Sequence, residues 1–365
     1  MKDHPPGERP IVSVILAVRN EAHWIRKCLA SLQSQEAPDF DLEILAIDGQ
    51  STDGTREFLD RVARTDPRVK VLDNPQRCTP FAFNIGLRAA RGDLVGIFGS
   101  HTIYRPDYIR VCREQLRAHG AVGCQGRILT CSEGRRLENR LVIWALSHRF
   151  GSSGKSFRTQ GDGFVDALNF PVLIRQAVIE AGGYDEELVR NQDNDMNQKL
   201  RARGHKLYST GETCCRYYPK DTIREMLRYA MRNGYWNVVS FKKNPASMGV
   251  RHFVPFVFLL GLLVSVVLAA AGFLAPVPHR ILWMLPLLAL LGAHLGVGLV
   301  ASLDIAVRES SASALWLPLV FLAFHAAYGC GTLAGLASVG RGPVPRPESL
   351  PVAQGKSFRR SKNWS

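Results

Sequence analysis

The chain has 365 residues, 46 Lys and Arg against 32 Asp and Glu, and a net charge of +14. That length accommodates one soluble domain and a smaller second module. The opening MKDHPPGERP has no apolar core of signal-peptide length, which argues against a cleaved export signal. The eight cysteines show neither a Cys-x-x-Cys pair nor zinc spacing, which argues for a reduced, cytosol-facing domain.

In chain order, IVSVILAV (11–18) is a short apolar run rich in β-branched residues and reads as a buried strand. Asn20 is placed to cap a helix that turns Ile25, Cys28, Leu29 and Leu32 to one face. LEILAID (42–48) is a second strand, STDGTREFLDRVART opens with capping residues and continues as a helix, and VKVLD (69–73) is a third strand. A helix over 79–90 and the strand LVGIF (94–98) follow. Strand and helix in alternation predict an α/β fold with a parallel sheet covered on both faces. Such sheets bind ligands beyond the carboxyl ends of their strands. Polar residues gather at those ends: Arg19, Asn20 and Glu21; Asp48; Ser100 and His101. No G-x-G-x-x-G or G-x-x-x-x-G-K-[ST] occurs, so a nucleotide would be held by carboxylates and a metal rather than by a glycine cradle. The Gly- and Ser-rich FGSSGKSFRTQGDG (150–163) reads as a loop, either a mobile cover for the site or a plain linker.

Residues 201–251 carry eleven Lys and Arg against three Asp and Glu, directly before a strongly apolar region. That position favours anionic lipid headgroups or phosphorylated substrates over nucleic acid. Uncharged stretches cover 253–278, 281–303 and 310–340, each longer than the roughly 20 residues that cross a bilayer as a helix. The predicted organisation is a polar N-terminus (1–10), an α/β domain (11–220), a basic amphipathic juxtamembrane segment (221–251), a membrane region of about three helices (252–340), and a basic, disordered tail (341–365).

VSVILAVRNEAHWIRKCLASLQSQ followed by LEILAIDGQSTDGT resembles the opening of the family 2 glycosyltransferases, and GYDEELVRNQDNDMNQKLRARGHKLY resembles the segment that brings their catalytic acid. With FRTQGDGFVDALNF and YYPKDTIREMLRYAMRNGYWN, the ordered set is most similar to the succinoglycan-biosynthesis (ExoA-like) branch, over about residues 11–255. The resemblance implies a GT-A fold, Rossmann-like with a mostly parallel sheet and flanking helices, followed by transmembrane helices. It implies an inverting, membrane-attached enzyme of the bacterial inner membrane that moves a sugar from a UDP-linked donor to a hydroxyl of a polysaccharide or lipid-linked glycan. The catalytic domain would face the cytosol, alongside other polysaccharide-assembly proteins.

The resemblance also assigns residues. Ala17, Arg19, Glu21, Asp48, Asn84 and Ser100 would surround the nucleotide sugar, and the pair Gln192–Asp193 would supply the general base, on Asp193. A base is needed because an alcohol is a poor nucleophile until its proton is removed. Taken as residues alone, Asp48 before Gly is also a turn signal, Asp53 reads as a cap for the helix at 55–65, and Asp193 as a cap for the helix after it. Arg224, Arg228 and Arg232 fall at helical spacing, either around a phosphate or as a solvated stripe. Trp236, with Tyr235, fits an interfacial belt or a sugar-stacking surface, and the family pattern sets Arg232 and Trp236 near the site. His294 and His325 fall inside apolar segments, where a neutral histidine bonding a neighbouring helix is the ordinary account. In IFGSHTIY, Gly99 stands where the family has its first metal-site carboxylate, and His101 where it has the second. A divalent Mn or Mg held weakly through His101 and donor oxygens, a metal-independent enzyme, and a catalytically silent nucleotide-sugar-binding membrane subunit all remain open.

Overall fold

Residues 9–274 and 280–339 are described by the structure, a computed structural model. Four apolar runs form the parallel half of one sheet. β1 (Ile11–Val18), β2 (Asp41–Asp48), β3 (Val69–Asp73) and β4 (Leu94–Gly99) lie in the order β3-β2-β1-β4. The crossovers are α1 (Ile25–Gln33), α2 (Thr55–Thr65) and α3 (Thr79–Ala89). Side chains of β1 alternate between two cores. Val12, Val14 and Leu16 pack with Ile25, Cys28, Leu29 and Leu32 of α1 on one face, and Ile15 packs with Ala82, Phe83 and Leu87 of α3 on the other. Burial on both faces is why this strand reads as an apolar run interrupted only by Ser13, whose hydroxyl donates to Glu43.

Asn20 does not cap α1. It sits in a left-handed turn (φ 55°), and its Oδ1 accepts the Thr52 N–H at 2.8 Å. Its polar atoms join the loops after β1 and β2, and the helix starts only at Ile25.

The second half is mixed. It contains β5 (Thr102–Tyr104), α4 (Tyr108–Ala118), β6 (Gly123–Thr130), α5 (Leu137–Ser147), α6 (Arg149–Ser152), β7 (Gly163–Phe164), β8 (Val172–Ile174), α7 (Arg175–Glu180), α8 (Gln192–Ala202) and β9 (Leu207–Tyr217). The sheet continues β4-β8-β6-β9-β5. β8 runs antiparallel to both its neighbours, and β6 is parallel to β9. The parallel rule therefore holds where helical crossovers join the strands and lapses where short strands return.

α9 (Ile223–Lys243) leads to α10 (Val254–Leu274), α11 (Arg280–Arg308) and α12 (Leu317–Val339), the last three long and apolar enough to cross a membrane. Thr222 caps α9 by accepting the Glu225 N–H at 3.3 Å. Both ends of α9 are tied to the sheet domain. The Ile223 N–H donates to Glu138 Oε1 at 2.7 Å, Lys243 meets Asp185 at 2.8 Å, and Asn244 donates to Asp195 Oδ1 at 2.8 Å. α12 runs beside α9 in the same direction, at glycine contacts. A Cβ on Gly234 would fall 2.1 Å from the Tyr328 carbonyl, and one on Gly331 2.0 Å from that of Met231. Met226 and Ala230 of α9, Leu317, Phe321 and Phe324 of α12, and Leu141, Val142 and Trp144 of α5 close a separate apolar core. His294 Nε2 lies 3.0 Å from His325 Nδ1, and His325 Nε2 lies 3.1 Å from the Phe150 carbonyl, so the two histidines bond neighbouring helices.

Candidate active site

The carboxyl ends of β1, β2 and β4 meet at one edge. Asp48, 2% exposed, accepts the Ser51 N–H at 3.1 Å and the Ser51 hydroxyl at 2.6 Å, and lies 3.8 Å from the Arg56 guanidinium. The turn reading of Asp48 is thus realised in its contacts. Asp53 accepts the Thr55 N–H at 3.1 Å and the Ala22 N–H at 3.0 Å, so it stitches the start of α2 to the loop after β1. Arg19 lies along Gly49, where an added Cβ would meet it at 3.3 Å, and its Nη1 reaches the Arg77 carbonyl at 3.5 Å. Ala17 pairs with Ile47 on one side and Gly99 on the other. Ser100 is buried in the turn after β4. Glu21 reaches His101, with Oε1 3.5 Å from Nδ1. These groups come from separate loops because the parallel register aligns Val18 with Asp48 and Ala17 with Gly99.

Asn84 is placed elsewhere. Its Nδ2 donates to the Tyr184 carbonyl at 2.9 Å and to Glu186 at 3.0 Å, while its Oδ1 accepts the Tyr184 N–H at 2.9 Å. Its amide is committed to the 183–186 loop, and we assign it to positioning that loop rather than to the donor.

Asp193 lies in the first turn of α8, after Asn191 in a left-handed turn (φ 63°). It is not the helix cap. Burial pushes its carboxyl up to about 7, into the range where a base both holds and releases a proton near neutrality. Gln192 Nε2 lies 3.5 Å from Asp193 Oδ2, and Gln192 Oε1 is buried without a partner. Asp195, 2% exposed, is structural: it meets Lys199 at 2.7 Å and holds Asn244.

Two expectations for α9 change. Trp236 is 2% exposed and packs with Leu188 and Val239. It is a core residue and presents no face to lipid or sugar. Arg228 is paired with Glu225, one turn back, so the repulsion along the stripe is relieved within the helix. Arg224 and Arg232 are exposed.

Sequence reasoning missed a cationic cluster beside this stripe. Arg158, from the 153–162 segment, and Arg190, just before α8, both lie over the Tyr229 ring of α9, at 5.8 and 5.7 Å from its centroid. Arg158 also lies 5.5 Å from the Tyr217 ring. Burial pushes the Tyr229 hydroxyl up, and Arg158, a hydrogen bond with Asn233, and Arg190 together pull it below the ordinary tyrosine value. Four distant segments supply these residues, so no local spacing announces them.

The resemblance implies a divalent metal at the end of β4. His101 and Glu21 meet there, and no group of three His, Cys, Asp or Glu suited to a metal forms among the described residues. The Phe170 ring fills the space beside Gly99, where a Cβ would fall 2.8 Å from Phe170 Cε1. A site for Mg²⁺ or Mn²⁺ needs several oxygen ligands, and these residues do not fit a resident ion.

Residues 13–180 match the family model described as glycosyl transferase family 2. The chain is 28% identical over 268 residues to the succinoglycan biosynthesis protein ExoA of Rhizobium meliloti, covering 73% of this chain and 80% of that protein. It is 27% identical over 253 residues to a dolichyl N-acetylglucosaminyl phosphate diacetamido-dideoxyglucuronosyltransferase of Methanococcus voltae, covering 62% and 76%. In fold it is similar to the mannosyltransferase PcManGT of Pyrobaculum calidifontis, solved with GDP-Man and Mn²⁺, at a TM-score of 0.53 and 18% identity over 91% of this chain and 89% of that one.

Proposed function

From a chain that carries a family 2 glycosyltransferase module of GT-A fold, we propose an inverting transfer of a sugar from a UDP-linked donor to a hydroxyl of a polysaccharide or lipid-linked glycan. The observation that carries this reading is Asp193, whose carboxyl is raised to about 7 on the first turn of α8. Asp193 takes the acceptor proton as the acceptor oxygen attacks the anomeric carbon from the face opposite the departing nucleotide. Asp48, Arg19 and Glu21 hold the base and ribose end, and Ala17 and Ser100 line the floor between them. The test is transfer from a panel of UDP- and GDP-sugars by native and Asp193→Asn protein; equal turnover by the two would remove Asp193 from the role. The second reading, a silent nucleotide-sugar-binding subunit, draws on Gly99 in place of the carboxylate. It predicts donor binding without transfer by native protein.

The packing of α9 supports a membrane arrangement. Charged groups anchor both of its ends to the sheet domain: Glu138 at one, Lys243 with Asp185 at the other. α12 lies along the same helix. Were that part of α12 to cross the bilayer, these charges would enter hydrocarbon, at a cost of several kcal/mol each. We therefore place α12 along the membrane surface under the head, with α10 and α11 crossing as a hairpin. Two crossings leave the tail on the side of the head, in the cytosol. That agrees with its Arg341, Arg346, Lys356, Arg359, Arg360 and Lys362, whereas three crossings set those charges outside.

A further inference from the structure

We propose that Arg158 and Arg190, framed by Tyr217 and Tyr229, form a diphosphate-binding site that supplies the positive charge the end of β4 does not recruit through carboxylates. The inference rests on the transferase reading above for its place in catalysis, but the site stands on its own geometry. The two guanidiniums share one aromatic ring, at 5.8 and 5.7 Å. Arg190 Nη1 donates to Asn233 Oδ1 at 3.0 Å, a neutral partner. Arg158 Nε is buried without a hydrogen-bond partner. Among the described residues no carboxylate pairs with either arginine. The exposed Arg232 adds further positive charge next to Arg190. Like charges withdrawn from water without a counter-ion are costly, and a planar guanidinium fork fits phosphate oxygens.

The position suits the chemistry. Tyr217 lies 5.3 Å from His101, ring to ring, and His101 lies 3.5 Å from Glu21. On the other side Arg190 precedes Asp193 by three residues. The cluster therefore adjoins the donor-side strand ends through Tyr217, and Arg190 leads into the turn that carries the base. As the acceptor oxygen bonds the anomeric carbon, the bond from that carbon to the diphosphate oxygen breaks, and its electron pair stays on the diphosphate. The acceptor proton passes to Asp193. Guanidiniums fixed beside that oxygen stabilise the charge as it develops. The same chemistry would hold the phosphate of a lipid-linked acceptor, so the ligand class is an organic phosphate or diphosphate from either source.

The experiment uses the full chain in detergent with excess chelator. Pyrophosphate, UDP and uridine are titrated by calorimetry into native, Arg158→Met, Arg190→Met, and the Lys variants at both positions. Native protein is expected to bind pyrophosphate and UDP without metal, each Met variant to bind at least ~10-fold more weakly, the loss of a charge-assisted bond, and each Lys variant to fall between. Titration of a short-chain polyprenyl phosphate in the same detergent separates the sources. Loss of its binding in the Met variants at unchanged UDP affinity assigns the site to the acceptor. Arginine-dependent binding of pyrophosphate alone would keep the site and reject the nucleotide-sugar reading. Native binding of every phosphate only after Mn²⁺ is added, or Met variants indistinguishable from native in both assays, would overturn the proposal. The first of these outcomes needs no variant to fold.

Discussion

Phe170 stands where the side chain of residue 99 would have to go: a Cβ on Gly99 falls 2.8 Å from Phe170 Cε1 and 3.1 Å from Thr102 Oγ1. From the sequence, Gly99→Asp looks like the restoration of a hard oxygen ligand beside His101. In the folded chain it forces an aromatic ring, 8% exposed, out of its place. Gly99→Asp alone should cost about 1–3 kcal/mol, the scale of overpacking a filled site, and should not tighten Mn²⁺ binding. Gly99→Asp combined with Phe170→Ala opens the space. Thermal melts with and without Mn²⁺ check both, and a metal-induced rise in Tm for the single variant would contradict the steric account.

Asp193→Asn should reduce transfer by about 100-fold or more, the scale of general-base catalysis. Because the base acts ionised and its carboxyl is raised to about 7, native kcat/KM should fall tenfold per unit as pH drops below that value and level off above it. Stability moves the opposite way. The folded chain holds this proton more tightly than the unfolded chain, so native protein loses stability as pH rises from the ordinary aspartate range to about 7. The Asn variant escapes that loss. Its Tm should exceed native above about pH 7 and match it at about pH 4.

Asp48→Ala should weaken UDP binding even without acceptor, and it should also release Ser51, whose N–H and hydroxyl both donate to Asp48. Asp48→Asn keeps one acceptor oxygen for that turn. Calorimetry with UDP on both variants separates the roles: recovery in Asn marks a turn effect, and loss in both marks a carboxylate that meets the nucleotide.

Trp236→Ala should destabilise by about 3–5 kcal/mol, as expected for emptying a buried aromatic site, because Trp236 packs with Leu188 and Val239. If enough protein folds, its acceptor KM should remain native. A raised KM at unchanged stability would return Trp236 to the sugar-stacking role that the sequence allowed.

A reporter fused after Ser365 should report the cytosol, on the same side as one fused at Met1, and a cysteine placed in the 275–279 link should label from the opposite face. A tail exposed on the far side would mean that α12 crosses, and that its contacts with α9 give way in the bilayer.

What the sequence determined was local. Short β-branched runs and helical spacing are signals carried within a few residues, so β1, β3 and α2 lie where the pattern set them. Strand ends bind ligands in a parallel sheet, so Asp48, Glu21 and His101 could be gathered before any contact was known. Asp193 was legible through its neighbours in an acidic, family-like run, though the burial that raises its carboxyl was not. Only the tertiary structure decided which side chains are spent. Asn84 is committed to a loop 100 residues away, Trp236 to the core, and Arg228 to Glu225. Only it brought Arg158, Arg190, Tyr217 and Tyr229 together, from four segments with no shared spacing. And only it laid α12 along α9: hydropathy measures a helix against lipid and names no neighbour, whereas the close approaches at Gly234 and Gly331 do.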